Sequence, residues 1–154
     1  MPELSSTSPS PFRGTYALVL RSNASAATEI GCWGQLTIRP GYYVYVGSAF
    51  GPGGVLARVS RHCRKAKRKH WHIDYLREFA NLASVWYSHS PDRLEHHWAE
   101  ALARMNEMKP VKGFGCSDCK CESHLFFVAK KPTLARFADA VRGSVTSWSC
   151  EKDA

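Results

Sequence analysis

The feature that most constrains the fold is a succession of three short β-rich runs, each closed by tight punctuation, followed at once by a glycine-rich turn and a helix. GTYALVLRS, from Gly14, reads as a strand, and after the Ser/Ala-rich SNASAA the segment TEIGCWGQLTI reads as a second, with Arg39, Pro40 and Gly41 as the turn that follows. GYYVYVGS then returns as a third. Aromatic and β-branched residues suit a pleated surface, and links this short join neighbouring strands, so the runs predict an antiparallel meander. Alternation along the third run puts Tyr43, Tyr45 and Gly47 on one face and Tyr42, Val44 and Val46 on the other.

Beyond SAFGPGG, the segment VLARVSRHC carries Val55, Leu56, Val59 and Cys63 at helical spacing. HIDYLREFA predicts a second helix and SVWYSHS an edge strand. PDRLEHHWAEALARMNEM is the strongest helix, with Pro91 and Asp92 at its start and an apolar stripe of Leu94, Trp98, Leu102 and Met105. A loop, GFGCSDCKCES, a strand, HLFFVA, and a closing helix, PTLARFADAVRG, complete the chain. The class is α+β, a small antiparallel sheet flanked by helices. With 154 residues, 44% of them hydrophobic, the chain supplies one core. That gives one domain over residues 13–150, behind a lead-in over 1–12 whose Ser and Pro residues leave little to bury and which is expected to be disordered.

Lys and Arg (21) exceed Asp and Glu (13), for a net charge of +8, which favours a polyanionic partner. Much of that excess lies in one run, Arg61, Arg64, Lys65, Lys67, Arg68 and Lys69, with Trp71 and Tyr75 beside it as groups able to stack on unpaired bases. A solvated basic loop is the bland alternative. No apolar run approaches the length of a membrane span, and the N-terminus has no basic head before an apolar stretch, so the expected location is the cytoplasm. Cys116, Cys119, Cys121 and His124 fall close together and suggest a structural zinc ion. Cys119, Cys121 and His124 with a distant fourth ligand, His97 or His96, make the easier tetrahedron; the alternative is a set of reduced thiols without metal.

Three features can carry chemistry. Arg58 and His62 stand four residues apart on the first helix and share a face, where they can clamp a phosphate. Glu95 sits at the margin of the buried stripe of the long helix and can hold a hard cation such as Mg²⁺. Tyr16 and Tyr45 bring hydroxyls from two strands. Each alone has an ordinary explanation: a packed tyrosine, a solvated basic face, a structural carboxylate.

Taken in order, Gly14-Thr15-Tyr16, Tyr45-Val46-Gly47, Arg58, His62 and Glu95 resemble the GIY-YIG nuclease superfamily. The phrases GYYVYVGSAFGPGG, RVSRH, WHIDYL and GFGCSDCKCESHLFF are similar to its small Uri-type branch, which also occurs attached to DNA-repair glycosylases. The resemblance spans roughly residues 12–130. It implies a central three-stranded antiparallel sheet and cleavage of the DNA backbone with one divalent ion, Mg²⁺ or Mn²⁺. It further implies that Tyr45 helps deprotonate the attacking water, assisted by Tyr16. Because a phenol is a poor base at neutral pH, a neighbouring cation must then favour its ionised form. Arg58 would hold the scissile phosphate and Glu95 the metal, while His62 would bind phosphate or relay a proton, with His72 as a further candidate. The gap between Tyr16 and Tyr45 is longer than in the better-known members, and the family's last polar position has only Ser117 and Asp118 as loose matches. The expectation is therefore a metal-dependent DNA endonuclease of structure-selective or weakly specific action, linked to DNA repair. The alternative is a non-catalytic nucleic-acid-binding module working with a repair partner, and a third reading is a zinc-stabilised interaction domain.

Overall fold

The computed structural model describes residues 8–30, 34–64, 72–111, 114 and 123–149. Among these, eight strands and four helices follow in the order β1 (Gly14–Ser22), β2 (Ala26–Ile30), β3 (Gly34–Ile38), β4 (Gly41–Ala49), α1 (Gly54–Cys63), α2 (His72–Leu76), β5 (Ala80–Ser88), α3 (Glu95–Ala103), β6 (Lys109–Pro110), β7 (Leu125–Val128), α4 (Leu134–Val141) and β8 (Thr146–Trp148). Six strands form one antiparallel sheet in the order β6-β7-β4-β1-β5-β8, and β2 pairs with β3 in a small sheet of its own. The α+β class expected from the sequence is the class observed.

Strand periodicity divides the interior in two. Tyr16, Leu18 and Leu20 of β1, Tyr43 of β4 and Leu125 and Phe127 of β7 face one layer, which is closed by Val55 and Val59 of α1 and Ile73 and Leu76 of α2. Ala17 and Val19, Val44 and Val46, and Phe126 and Val128 face the other, closed by Trp98 and Leu102 of α3 and Phe137 and Val141 of α4. On β5 the phase changes: Leu82 and then Val85 and Tyr87 all join the first layer. The register against β1 shifts between Val19 and Leu20, and this bulge restores the inward direction after an odd step.

Four expectations are corrected by this arrangement. The second β-rich run is two strands, Ala26 facing Ile38 and Ile30 facing Gly34, where a φ of 131° suits glycine. The meander is thereby broken, and β4 pairs directly with β1 over nine positions, from Gly14 opposite Ala49 to Ser22 opposite Gly41. The hairpin instead covers the first layer with Leu36 and Ile38. The run SVWYSHS is interior to the sheet, because the unforeseen β8 pairs with β5 from Val85 to Tyr87.

The fourth correction concerns residues 8–12 of the expected disordered lead-in, which are built into the fold. The first helix begins without a side-chain cap, and its early N–H groups need acceptors. Val55 donates to the Phe12 carbonyl (2.9 Å) and Leu56 to that of Ser10 (3.1 Å). Gly54, at φ 58°, faces the Phe12 backbone so closely that a Cβ has no room. Cys63, at the other end of α1, is disulfide-bonded. Among the described residues no helix is long and apolar enough to cross a membrane.

Candidate active site

Tyr16 on β1 stands in register with Gly47 on β4. The glycine is what allows the tyrosine its direction, since a Cβ there would lie 2.5 Å from the phenol oxygen. Tyr16 thus crosses the neighbouring strand and reaches α1, where its hydroxyl and His62 Nε2 share a hydrogen bond of 2.9 Å. Both residues are buried, at 2% and 0% exposure. Tyr45, two residues before Gly47 and so on the same face, presents its ring edge to His62 with centroids 6.4 Å apart and to Phe114 at 6.1 Å.

One turn before His62, Arg58 donates from Nη1 to the Ser48 carbonyl at 3.1 Å, and its guanidinium also hydrogen-bonds the Tyr16 hydroxyl. The i, i+4 spacing therefore turns both cationic-type side chains of α1 toward the end of β4. Glu95 arrives from α3. The N-terminus of that helix is fastened to β1 by a bond from the Leu94 N–H to Thr15 Oγ1 (3.3 Å), which places the first helical residue next to β4. The Glu95 carboxylate lies 2.8 Å from His124 Nδ1 and accepts a hydrogen bond from the Ser48 side chain. The structure brings together all five residues singled out in the sequence, Tyr16, Tyr45, Arg58, His62 and Glu95.

Burial pushes the Tyr16 hydroxyl well above the ordinary tyrosine range; the charge and hydrogen bond of Arg58 oppose this without overcoming it. Tyr45 is raised further in the same direction, by burial first and then by Tyr16, Glu95 and Asp74. Both are neutral phenols at physiological pH. Burial thus opposes the expected ionisation of Tyr45 more strongly than the Arg58 guanidinium favours it. Glu95 behaves oppositely. Its burial also disfavours charge, but the hydrogen bond and charge of His124, the Ser48 hydroxyl and the charge of His96 together hold its carboxyl below the usual range.

A second set of residues, which the sequence did not reveal, holds α1 in place. Arg61 grips Asp74 of α2 with two bonds of 2.9 and 2.7 Å. Arg77, 1% exposed, donates from Nε to the His62 carbonyl (2.9 Å), from Nη2 to that of Cys63 (3.3 Å) and from Nη1 to that of Ala80 (2.8 Å). It satisfies the last carbonyls of α1 just below the His62 side chain. Arg61, expected as a phosphate contact, is therefore committed to Asp74. Ser48, Asp74 and Arg77 offered only weak signals: a serine beside Gly47, and opposite charges far apart in sequence.

The other expected residues are scattered. Arg64 is exposed at the end of α1, and His72 opens α2 with its ring 5.7 Å from that of Phe114. Lys65, Lys67, Arg68, Lys69 and Trp71 lie outside the described residues, as do Cys116, Cys119 and Cys121. Of the two histidines considered as a distant zinc ligand, His96 is beside His124 (ring centroids 5.9 Å apart), whereas the His97 ring bonds the Val141 carbonyl of α4 at 2.8 Å. His97 is thus corrected to a tie between two helices. Among the described residues no group of three or more His, Cys, Asp or Glu side chains is arranged to hold a metal ion.

Comparison with known proteins replaces the resemblance drawn from the motifs. The family model that matches is the domain of unknown function DUF123, over residues 15–146, a family distinct from the GIY-YIG nucleases. The ordered Tyr, Tyr, Arg, His and Glu are residue types that many sites combine, and their order alone did not fix the family. No curated protein and no solved structure matches the chain. With the family's model running from the second residue of β1 to the first of β8, the chain belongs to the DUF123 family.

Proposed function

We propose that this chain is a divalent-metal-dependent endonuclease that hydrolyses DNA phosphodiester bonds with structural or weak sequence preference, in the cytoplasm and beside a DNA-repair partner. The observation that supports this reading is the convergence on the end of β4 of a hydrogen-bonded Tyr16–His62 pair, the guanidinium of Arg58 and the ionised carboxylate of Glu95. In an inert core these four polar groups would be costly company. The net charge of +8 agrees with a polyanionic substrate. The disulfide at Cys63 weighs against the cytoplasmic part of the reading.

Arg58 binds the scissile phosphate and stabilises the charge that grows on its oxygens in the transition state. Glu95 suits Mg²⁺ or Mn²⁺: its side chain is 26% exposed, it is ionised, and such an ion accepts one or two protein oxygens with the rest from substrate and water. When bound, the ion supplies Lewis acidity at the phosphate. With both phenols neutral, Tyr16 works as a relay. As water attacks phosphorus, its proton passes to the Tyr16 oxygen while the Tyr16 proton moves to His62 Nε2; the bond from phosphorus to the leaving sugar oxygen breaks, and that oxygen is protonated from solvent. Tyr45 packs against His62 on the same face of β4 and lines this path. Arg64 and the basic residues after it add phosphate contacts that carry affinity without sequence readout.

A labelled panel of single-stranded, duplex, flap and junction DNA, incubated with Mg²⁺ or Mn²⁺ beside the Glu95→Ala variant, tests the reading. Cutting that needs metal and disappears in the variant is the expected result; a panel left intact by the parent protein overturns it. The second reading, a non-catalytic nucleic-acid-binding module serving a repair partner, is favoured by one observation: His124 already occupies the Glu95 carboxylate. It predicts affinity that survives Glu95→Ala with no cleavage by either protein.

A further inference from the structure

The sheet face away from Tyr16 and His62 contains a cavity of about 410 Å³. Its walls come from the end of β7, the segment after α3 and the start of α4, with Trp86, Phe137, Met105, Met108 and Val128 supplying apolar surface. Phe137 stacks on Trp86 with centroids 4.9 Å apart and stands edge-on to Trp98 at 5.0 Å, so the aromatic wall is locked from behind. The two methionines provide an adaptable wall. At the mouth are Lys109, Lys130 and Lys131, all exposed, together with Arg136 and Glu107, which neutralise one another through a 2.7 Å pair. The remaining charge at the rim is cationic. A preformed space of this size, apolar within and positive at its opening, suits a small amphipathic ligand.

We propose that this cavity is a binding site for a small organic anion with a flat apolar body, whose ring fills the space between Phe137 and the methionines and whose carboxylate or phosphate meets the three lysines. The sign follows from the rim, and the apolar body follows from walls that offer it few polar partners. The site is independent of the endonuclease reading. It lies at the other end of α3, the helix whose first residue is Glu95 and whose last, Ala103, precedes Met105 by two positions.

The chain has three methionines, Met1, Met105 and Met108, and two of them line the cavity. Methyl-labelled methionine in the full chain therefore reports on the site directly. Titration with 1-naphthoate should shift the Met105 and Met108 methyl resonances saturably and leave that of Met1 in place. The cation of matched shape, 1-naphthylmethylamine, should bind about tenfold more weakly, the ratio that 1.4 kcal/mol produces. Lys130→Glu with Lys131→Glu, both on the exposed rim, should weaken naphthoate to a similar degree and leave the spectrum of the unliganded protein folded. Absence of saturable shifts at Met105 and Met108, equal binding of the amine, or affinity unchanged by the charge reversal would each overturn the proposal.

Discussion

The two faces of the six-stranded sheet bury different chemistry. Against α3 and α4 the layer is built from Ala17, Val19, Val44, Val46, Trp86, Trp98, Phe126 and Phe137, and its polar partners lie at the margins. Against α1 and α2 the same strands bury Tyr16 and Tyr43 among leucines, and His62 of α1, Asp74 of α2 and Arg77 just after α2 are added, each at 3% exposure or less. Apolar side chains need only volume and contact, so the first kind of layer is stabilised by area removed from water. Polar groups taken from water need specific partners, and here Tyr16 pairs with His62 Nε2, Arg61 with Asp74 and Arg77 with three carbonyls. Both layers hold the sheet through buried apolar area, and the α1–α2 layer also holds a set of polar groups in fixed relation.

That contrast can be broken at its apolar end first. Trp98→Ala should destabilise the fold by about 3–5 kcal/mol in denaturant titration, because an aromatic side chain at 1% exposure leaves a cavity that its neighbours cannot close. A loss below about 1 kcal/mol would mean that the neighbours of the indole collapse into the space it leaves. At the polar end, Arg77→Met should cost about 1.5–3 kcal/mol, since the aliphatic stem is kept while the charged donors to the α1 carbonyls are lost. An unchanged midpoint would show that water replaces the guanidinium without difficulty.

The difference is sharpened by pH. A carboxyl whose folded pKa lies below its unfolded value stabilises the fold above the unfolded value and loses that contribution as pH falls through the folded one. Glu95 is of this kind. The stability gap between the parent and Glu95→Gln should thus be full at neutral pH and shrink as pH falls below 4.5, the ordinary value for the group. A gap that stays constant through that range in thermal melts would place the carboxylate outside the His124 pairing. The smallest effect belongs to the exposed margin of the apolar face: Arg136→Ala, with side chains 65% and 38% exposed in its pair with Glu107, should change stability by less than about 1 kcal/mol.

Much of the site was legible because local periodicity fixes which side chains share a face. Tyr43 and Tyr45 share a side of β4, and Arg58 and His62 share a side of α1, whatever surrounds them. The same rule placed Trp98 and Leu102 inward on α3, while Leu56, counted with the apolar stripe of α1, is 37% exposed because it lies one residue off the line of Val55 and Val59. The partners of these groups were not legible. Asp74 meets Arg61 across thirteen residues, and His124 meets Glu95 across nearly thirty, and no local pattern encodes such pairs. In sequence His124 neighbours three cysteines and suggests a zinc ligand or a loop of reduced thiols, while in space its Nδ1 stands 2.8 Å from a carboxylate of another element.

Composition and periodicity, then, determined the α+β class, the positive charge and the inward faces of the strands, because each depends on residue type and on spacing along a few turns or pleats, whereas the five site residues were joined into a set only by the motif resemblance. Tertiary structure alone decided that β4 lies beside β1 with the second run set apart as a hairpin, that Gly47 makes room for Tyr16 to reach His62, and that both phenols stay protonated. Strand order and pKa depend on which surfaces exclude water from which groups, and that is a property of the packed chain as a whole.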